Sequence, residues 1–326
     1  MKEPLALPFD PARLPRAVTV ALVEAAPVYF DAEAALSRAR SLVTRAAAAG
    51  AALIAFPETW WGGYPVWVDT APGAALWEEP GMKQLHRLML ASALAMNSPE
   101  LAALGELAAE AGIDIALGAN ERHGRSLLNS IFLIGRDGSL RVRRKLVPTH
   151  GERLVWAPGH GQDFAPLATG YGGVSAAICW EHWMPELRAV LHRGGALLHV
   201  AAWPVLREPY RLASRHFAFE GRRFVLAAAC RLEKDELLGA LPADADAARA
   251  LLEAVPAGGD GLVLEGGAAV FGPDGREIEP RAAADDGLHL FTLSPAEALE
   301  AAANLDVAGH YARPDLITVA VREPGA

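Results

Sequence analysis

Short apolar runs alternate with longer amphipathic stretches along most of the chain. Residues 17–23 (AVTVALV) are apolar and β-branched, which predicts a buried strand. Asp31 is placed to cap a helix that stops at Gly50, and residues 53–56 predict the next strand. The order repeats, with strands predicted over 113–118, 174–178, 196–200 and 224–229, and helices over 98–112, 186–193 and 210–220. Such alternation is typical of an α/β protein whose helices pack on the faces of a sheet.

Two other segments, residues 130–143 and 267–277, predict β-hairpins that resemble each other. Each turns at an Asp-Gly pair, whose glycine supplies the positive φ that a tight turn needs. Their likeness hints at an internally symmetric fold. Residues 235–259 are acidic and rich in alanine, and we interpret them as a surface helix with mobile ends rather than an interdomain linker.

The composition narrows the class of protein. With 326 residues, 52% of them hydrophobic and 21% charged, the chain can bury a large core and is not a disordered segment. Its length lies between one large domain and two ordinary ones. A formal net charge of −9 argues against a general nucleic-acid binder, which normally carries a basic surplus.

No segment predicts a membrane or secreted protein. The longest apolar run, residues 46–56, is well short of the roughly 18 residues that span a bilayer. Glu3, Asp10 and four prolines stand near the N-terminus, where a signal peptide needs a basic start and an unbroken apolar stretch. Two cysteines are too few for a disulfide framework. We therefore expect a soluble protein of the cytoplasm with no membrane or nucleic-acid partner.

Cys179 is the first candidate for chemistry. It lies where an apolar strand gives way to Trp-Glu-His, so its thiol is expected at the rim of a sheet, where the amides of the next turn stabilise negative charge. A buried, inert thiol is the commoner fate of a lone cysteine. Cys230, inside the apolar run 225–230, fits that alternative well, whereas Cys179 with its polar neighbours does not.

A thiol needs a base and a charge partner before it acts as a nucleophile. Glu58 also lies just beyond a buried strand, where desolvation raises the pKa of a carboxyl group towards a useful range. Lys145 ends the basic run 141–145 and precedes a segment whose length and composition suggest a structured functional loop. Taken alone, Glu58 also fits an exposed loop and Lys145 a solvated basic face.

Taken together, several sequence blocks resemble the nitrilase branch of the carbon–nitrogen hydrolase superfamily. They occur in the family's order and cover roughly residues 17–318. The blocks are Phe-Pro-Glu at 56–58, Arg-Arg-Lys-Leu-Val-Pro-Thr-His-Gly-Glu-Arg at 143–153, Cys-Trp-Glu-His at 179–182, His-Phe-Ala-Phe-Glu-Gly-Arg at 216–222 and Gly-His-Tyr-Ala-Arg-Pro-Asp at 309–315. Several blocks in order make a strong signal, although any one alone would be moderate.

The resemblance implies an α/β fold of four layers, an α-β-β-α sandwich, formed as a single domain over residues 1–326. Its core is expected at about 17–318, after an irregular leader at 1–16 and before a short tail at 319–326. Many members of the family continue further and assemble into large spirals. Because this chain stops at Ala326, we expect a homodimer or a larger homo-oligomer, with spiral formation in doubt.

The resemblance also implies a catalytic triad of Glu58, Lys145 and Cys179, with Glu152 as a second glutamate shortly after the lysine. A low-pKa thiolate of Cys179 is expected to attack a nitrile carbon and form a thioimidate, then a thioester. Glu58 would serve as the base, and Lys145 with the amide of Trp180 would stabilise developing charge. No cofactor or metal is expected, since metal-ligand spacing is absent from the sequence.

The substrate is expected to be a small organic nitrile, and the tryptophans near Glu58 favour an aromatic or arylaliphatic one. Those tryptophans either line an aromatic pocket or pack in the core or a subunit interface. The candidate substrate-binding residues are Trp60, Tyr64, Trp180, His182 and Trp203.

Three other functions compete with nitrile hydrolysis. An amidase or carbamoylase would use the same triad on a C–N single bond, and cyanide itself is a further possible substrate. A cysteine–histidine hydrolase would use His182 or His150 as the base. A non-enzymatic scaffold would have no need of the intact set of candidate catalytic residues.

Overall fold

The computed structural model of the chain describes residues 7–160, 164–283 and 287–322. Its strands are β1 (Val18–Val23), β2 (Ala51–Ala55), β3 (Asp114–His123), β4 (Ser126–Ile134), β5 (Leu140–Arg144), β6 (Val174–Ile178), β7 (Leu198–Trp203), β8 (Phe224–Glu233), β9 (Leu262–Phe271), β10 (Glu277–Ile278), β11 (Ala282–Ala283) and β12 (Leu288–Leu293). Its helices are α1 (Ala32–Ala48), α2 (Trp67–Thr70), α3 (Pro80–Ser92), α4 (Pro99–Ala111), α5 (Pro185–Arg193), α6 (Glu208–Gly221), α7 (Lys234–Gly239), α8 (Asp246–Glu253) and α9 (Pro295–Ala302).

Local capping chemistry sets the ends of the helices that the sequence predicts. The side chain of Asp31 accepts from the amide of Ala34 at the start of α1. Ser98 does the same for α4, which ends at Gly112 with a φ of 64°, in the left-handed region that favours glycine. These helix boundaries were predicted from the sequence and are confirmed.

The strands form two mixed sheets with the same internal pattern. The first has the order β11-β12-β1-β2-β3-β4-β5, and the second has the order β10-β9-β8-β7-β6. In each, three parallel strands (β1–β3 or β6–β8) are followed by two antiparallel ones (β4–β5 or β9–β10). Both predicted hairpins are confirmed, and the repeated pattern is the internal symmetry at which they hinted.

Successive side chains of β1 point to opposite faces of the first sheet, and each face packs into a separate hydrophobic core. Val20 and Leu22 face the second sheet, whereas Ala21 and Val23 pack towards α1 and α4. The other face of the second sheet is covered by α5 and α6, through residues such as Phe217. The layers are therefore helix, sheet, sheet and helix, as the resemblance implied.

The acidic, alanine-rich segment 235–259 differs from its prediction. It forms two helices, α7 and α8, rather than one surface helix, and most of its leucines are buried. Helix α8 packs so closely on α3 that a Cβ at Gly81 would lie 2.6 Å from the carbonyl oxygen of Ala247. Leucines at helical spacing, such as Leu237 and Leu252, supply the buried face that the high alanine content obscured.

In the described part of the chain, no helix combines the length and the apolar character needed to cross a bilayer. Strand β1 follows a leader that includes a short 3-10 turn at Pro11–Arg13. Residues 1–6 and 323–326, which belong to the predicted leader and tail, lie outside the described residues. The predicted domain boundaries stay predictions.

Candidate active site

The candidate nucleophile lies at a sharp turn. Cys179 directly follows β6 and begins the 3-10 turn Cys179–Trp183, with 2% of its surface exposed. Its φ of 51° is in the left-handed region that residues other than glycine rarely adopt. Strain of this kind persists only where surrounding contacts hold it, and it is frequent at functional sites.

Glu58 is presented by a second strained turn, after β2. Thr59 beside it has a φ of 46°, and both side chains are fully buried. The turn lies so close to β3 that a Cβ on Gly118 would be 1.9 Å from the carbonyl oxygen of Pro57. Glycine at position 118 therefore allows the turn that carries Glu58 to pack against β3.

Lys145 follows β5 and is buried between two carboxylates. Its Nζ donates to Glu58 Oε1 at 2.9 Å and to the two oxygens of Glu152 at 2.8 and 2.7 Å. Glu152 lies on the 3-10 turn His150–Leu154 and also accepts from the hydroxyl of Tyr64 at 3.0 Å. The ammonium is thus held by charge-assisted hydrogen bonds from both sides.

These groups converge on the sulfur. One oxygen of Glu58, one oxygen of Glu152 and the sulfur of Cys179 all lie within 4.8 Å of one another. The structure therefore brings together the four residues that are predicted from the sequence to be catalytic, which are Glu58, Lys145, Glu152 and Cys179. A thiol and two carboxylates are also metal-ligand groups, but the ammonium of Lys145 already supplies a positive charge between the carboxylates.

Burial and mutual repulsion set the charges of the cluster. Burial raises the pKa of Glu58 to about 7, because attraction by Lys145 only partly offsets burial and repulsion from Glu152. Burial alone would lower the pKa of Lys145, but the negative groups around it raise that pKa, so the ammonium stays charged. Burial, and then repulsion from Glu58, raise the pKa of Cys179 well above its usual value. The expectation of a low-pKa thiolate is therefore wrong, and the resting sulfur is a thiol.

Asn129, on β4, is a member of the cluster that sequence reasoning missed. Its Nδ2 donates to Glu58 Oε1 at 2.7 Å, and its backbone carbonyl accepts from the amide of Lys145 at 2.8 Å. An amide inside an otherwise apolar strand was the available signal. Among the described residues, Glu58 Oε2, Asn129 Oδ1 and Thr59 Oγ1 are buried without a hydrogen-bond partner. Unpartnered oxygens on neighbouring groups are suited to receive water or substrate.

Aromatic side chains surround the turn after Cys179. Trp180 is 48% exposed and contacts Trp183 edge-on at 5.3 Å between ring centroids. Trp183 also contacts Trp203 at 5.4 Å and Tyr210 at 5.7 Å. Tyr210, on α6, was not predicted; it contacts Trp183 and Trp203, and burial, followed by the charge of Cys179, raises the pKa of its phenol.

The predicted substrate-binding residues occupy different surroundings. Tyr64 contacts the cluster through Glu152, and Trp180 adjoins the nucleophile in sequence and space. Trp60 instead packs in the core, the alternative interpretation, since its Nε1 donates to the carbonyl oxygen of Ala25 at 3.0 Å and it is fully buried. Trp203 is also fully buried and donates to the hydroxyl of Ser214.

Neither His182 nor His150 is placed to act as a base for the thiol of Cys179. His182 Nδ1 lies 2.8 Å from the carbonyl oxygen of Cys179, and its Nε2 lies 3.1 Å from a ring nitrogen of His199. His150 is exposed and contacts Asp69 at 2.9 Å. With both nitrogens of His182 engaged away from the sulfur, a cysteine–histidine mechanism loses its base.

A second buried ion pair lies beside the cluster. Arg143 Nη2 donates to both oxygens of Glu181, at 3.1 and 3.0 Å. The same carboxylate accepts from the amide of Ile178 at 2.8 Å and from that of Leu146 at 3.0 Å. Glu181 therefore ties the end of β5, which carries Lys145, to the end of β6, which carries the nucleophile.

Comparisons with known proteins identify the family and the fold of the chain. A family model described as carbon–nitrogen hydrolase matches residues 19–296. The chain is 37% identical over 312 residues to a nitrilase of Pseudomonas syringae pv. syringae, covering 91% of this chain and 87% of the relative. It is 33% identical over 321 residues to an arylacetonitrilase of Aspergillus kawachii, covering 93% and 92%. A solved CN-hydrolase superfamily protein of Xanthomonas campestris has the same fold, with a TM-score of 0.63 at 18% identity over 90% of this chain and 96% of its own.

Proposed function

The chain belongs to the nitrilase branch of the carbon–nitrogen hydrolase family, and from that premise we propose that it hydrolyses an organic nitrile to the carboxylic acid and ammonia. The observation that carries the proposal is the buried ammonium of Lys145, hydrogen-bonded to Glu58 and Glu152 beside the thiol of Cys179. No cofactor enters the proposed reaction.

In the first step, the sulfur of Cys179 attacks the nitrile carbon. Its proton passes to Glu58, whose pKa of about 7 lets it accept a proton and return one near neutral pH. The nitrile nitrogen gains a proton as the C–S bond forms, which gives a neutral thioimidate. A thiol that loses its proton only during attack replaces the preformed thiolate of the sequence-based mechanism.

In the second step, water adds to the thioimidate carbon and Glu58 takes the proton of that water. The tetrahedral intermediate expels ammonia and leaves a thioester on Cys179. A second water attacks the thioester in the same way, which releases the acid and restores the thiol. The unpartnered Oε2 of Glu58 and the Oδ1 of Asn129 are the groups available to orient each water.

Charge that develops during these steps is stabilised by two donors. Lys145 stays cationic in the closed cluster and faces the nitrogen, then the oxyanion, of the tetrahedral intermediate. The backbone amide of Trp180 acts to lower the pKa of the Cys179 thiol, so it is also proposed to face the reacting centre. Glu152 holds Lys145 in place and is proposed as a positioning residue.

An arylaliphatic nitrile is the proposed substrate class. Trp180, Trp183 and Tyr210 present aromatic surface next to the nucleophile, and Trp180 is half exposed. Offset or edge-on contacts with a substrate ring would add favourable interaction beyond area burial. The relative from Aspergillus kawachii carries the name arylacetonitrilase, which agrees with this choice.

A panel of nitriles and their matching amides, assayed for ammonia and for acid, tests the proposal. We expect arylaliphatic nitriles to be turned over faster than aliphatic nitriles, cyanide or any amide, and the Cys179→Ala variant to release none. Faster turnover of the amides would instead support the amidase or carbamoylase alternative.

We also propose that the protein acts in the cytoplasm as a homo-oligomer. Both cysteines are free and buried, as suits a reducing compartment. Leu212 and Phe219 on α6 are 58% and 46% exposed, which gives this helix apolar surface for a second copy. Sedimentation analysis should find a dimer or a larger species, and a monomer at micromolar concentration would refute it.

A further inference from the structure

The mechanism leaves unused a buried chain of side chains under the Cys179 turn. Ser175 Oγ lies 2.8 Å from His199 Nδ1, and His199 Nε2 lies 3.1 Å from His182 Nε2. His182 Nδ1 completes the chain at 2.8 Å from the carbonyl oxygen of Cys179. The three side chains are at most 3% exposed, so each polar atom depends on its neighbour for a hydrogen bond.

The carbonyl oxygen of Cys179, at one end of the chain, determines which nitrogen or oxygen carries each hydrogen. A carbonyl oxygen only accepts, so His182 Nδ1 carries a hydrogen and its Nε2, in a neutral ring, accepts. His199 must then donate from Nε2 and accept at Nδ1, where the hydroxyl of Ser175 donates. Burial lowers the pKa of His182 to about 4 and holds that of His199 well below its usual value, so both rings are neutral near pH 7.

Aromatic neighbours fix the planes of both imidazoles. His182 stacks on Trp203, with 4.8 Å between centroids and 30° between planes. His199 stacks on Phe217 at 4.1 Å and 22°. Rings packed in this way have no room to turn over, so the chain is a rigid support for the carbonyl group that it holds.

Holding that carbonyl also orients the amide that follows it. The C=O of Cys179 and the N–H of Trp180 belong to one planar peptide unit and point in opposite directions. With the oxygen anchored on His182, the N–H is directed to the other side, towards the sulfur, where it acts to lower the pKa of the thiol. This is the amide that the proposed mechanism aims at developing negative charge.

We propose that His182 and His199 are positioning residues whose proton-ordered chain, beginning at Ser175, holds the Trp180 amide ready for the oxyanion. The inference rests on the proposed function, because the oxyanion arises in that reaction. It gives His182 a role other than acid or base, and it explains how a cysteine with a φ of 51° is kept in one conformation.

Two substitutions of His199 separate this role from simple packing. His199→Leu removes the donor to His182 and should lower kcat and kcat/KM together, by about 10- to 100-fold, as expected for loss of transition-state stabilisation. In His199→Gln the amide nitrogen can take the place of Nε2, so most of the wild-type kcat should return. His192→Leu is the matched control, since His192 is equally buried on α5 but bonds to Glu220 rather than to the chain.

The control should lose thermal stability as His199→Leu does and keep the wild-type kcat. If His199→Gln is as slow as His199→Leu, or if His192→Leu is slowed equally, the positioning role is refuted.

Nitrogen NMR of protein labelled with ¹⁵N-histidine provides a readout that does not need turnover. The inference requires a hydrogen on Nδ1 of His182 and on Nε2 of His199, and the opposite tautomers would overturn it. If the wild type releases no ammonia from any nitrile, the proposed function is refuted. The tautomers of His182 and His199 still show whether the hydrogen-bonded chain carries its hydrogens as inferred.

Discussion

Two buried ionic clusters lie side by side at the end of β5, and they differ in how fully their carboxylates are hydrogen-bonded. In the first, Arg143 donates to both oxygens of Glu181. In the second, Lys145 faces two carboxylates, those of Glu58 and Glu152. Arg143 lies on β5 and Lys145 directly follows that strand, two residues further on, so the contrast arises from their partners rather than from their place in the chain.

The first cluster is built for structure. Backbone amides of the two neighbouring segments complete the hydrogen bonds of Glu181, so its carboxylate joins two strands and both of its oxygens have partners. The second, unbalanced cluster carries one more carboxylate than ammonium, and Glu58 Oε2 lacks a hydrogen-bond partner among the described residues. A surplus carboxylate in a dry site is a proton acceptor near neutral pH. The comparison teaches that burial of charge alone does not mark a catalytic group, whereas a buried carboxylate oxygen without a hydrogen-bond partner does.

The largest expected effect comes from removing the sulfur that the unbalanced cluster serves. Cys179→Ala should reduce ammonia release by at least about 10⁴-fold, because no other group can form the covalent intermediate. Cys230→Ala, on β8, is the matched control and should stay active, since burial raises the pKa of Cys230 and it packs in the core. Equal losses in the two variants would contradict the assignment.

Removing the cation of the unbalanced cluster should come next. Lys145→Ala leaves Glu58 and Glu152 facing each other without compensation and takes away the main donor to developing charge. We expect kcat to fall by about 10³-fold or more. Turnover within about tenfold of wild type would favour a base elsewhere, such as a histidine, over the proposed cluster.

Paired charge-neutral substitutions test the contrast most sharply. Glu181→Gln should destabilise the fold by about 3–5 kcal/mol, because it breaks the buried ion pair between Glu181 and Arg143. Glu58→Gln should lower kcat by about 10²- to 10⁴-fold while the melting temperature holds or rises above pH 7. The sign follows from linkage: a carboxyl whose pKa is raised on folding loses its contribution to stability as pH rises through about 7. Denaturant unfolding and kinetics on both variants check it, and a reversed pattern would contradict the comparison.

The pH dependence should show the surplus carboxylate directly. Because Glu58 must be ionised to take a proton and its pKa is about 7, kcat/KM should fall about tenfold per pH unit below that value. The acid limb belongs to the coupled cluster, so it should vanish in Glu58→Gln. An acid limb near pH 4 to 5 in wild type would contradict the raised pKa, since that is the ordinary range of a solvent-exposed glutamate.

The smallest expected effect comes from Asn129. Its hydrogen bond lowers the pKa of Glu58, so Asn129→Leu should move the acid limb of kcat/KM to higher pH. Activity above the limb should change less than in Cys179→Ala, Lys145→Ala or Glu58→Gln, because Lys145 and Glu152 keep their contacts. A shift to lower pH would show that the amide does not act on Glu58.

Sequence patterns predicted the parts of the molecule that local chemistry decides. The bounds of β6 and the caps of α4 follow from apolar runs, a capping serine and a terminal glycine. Helix α3 was missed, and so was the packing of α8 on it, because the alanine-rich segment that contains α8 carries a weak apolar pattern. Asn129 and the raised pKa of the thiol were missed for another reason: both depend on which strands are neighbours, and strand order is not written in any one segment.

The central claim is that an acid, an amine and a thiol from distant segments act as one covalent catalyst. Rapid quenching of the enzyme with an arylaliphatic nitrile, followed by peptide mass spectrometry, tests it most directly. We predict an acyl or imidoyl mass on the peptide that contains Cys179, none on the peptide of Cys230, and much slower formation in Lys145→Ala. Ammonia release by wild type with no adduct on Cys179 under any quench would contradict the account.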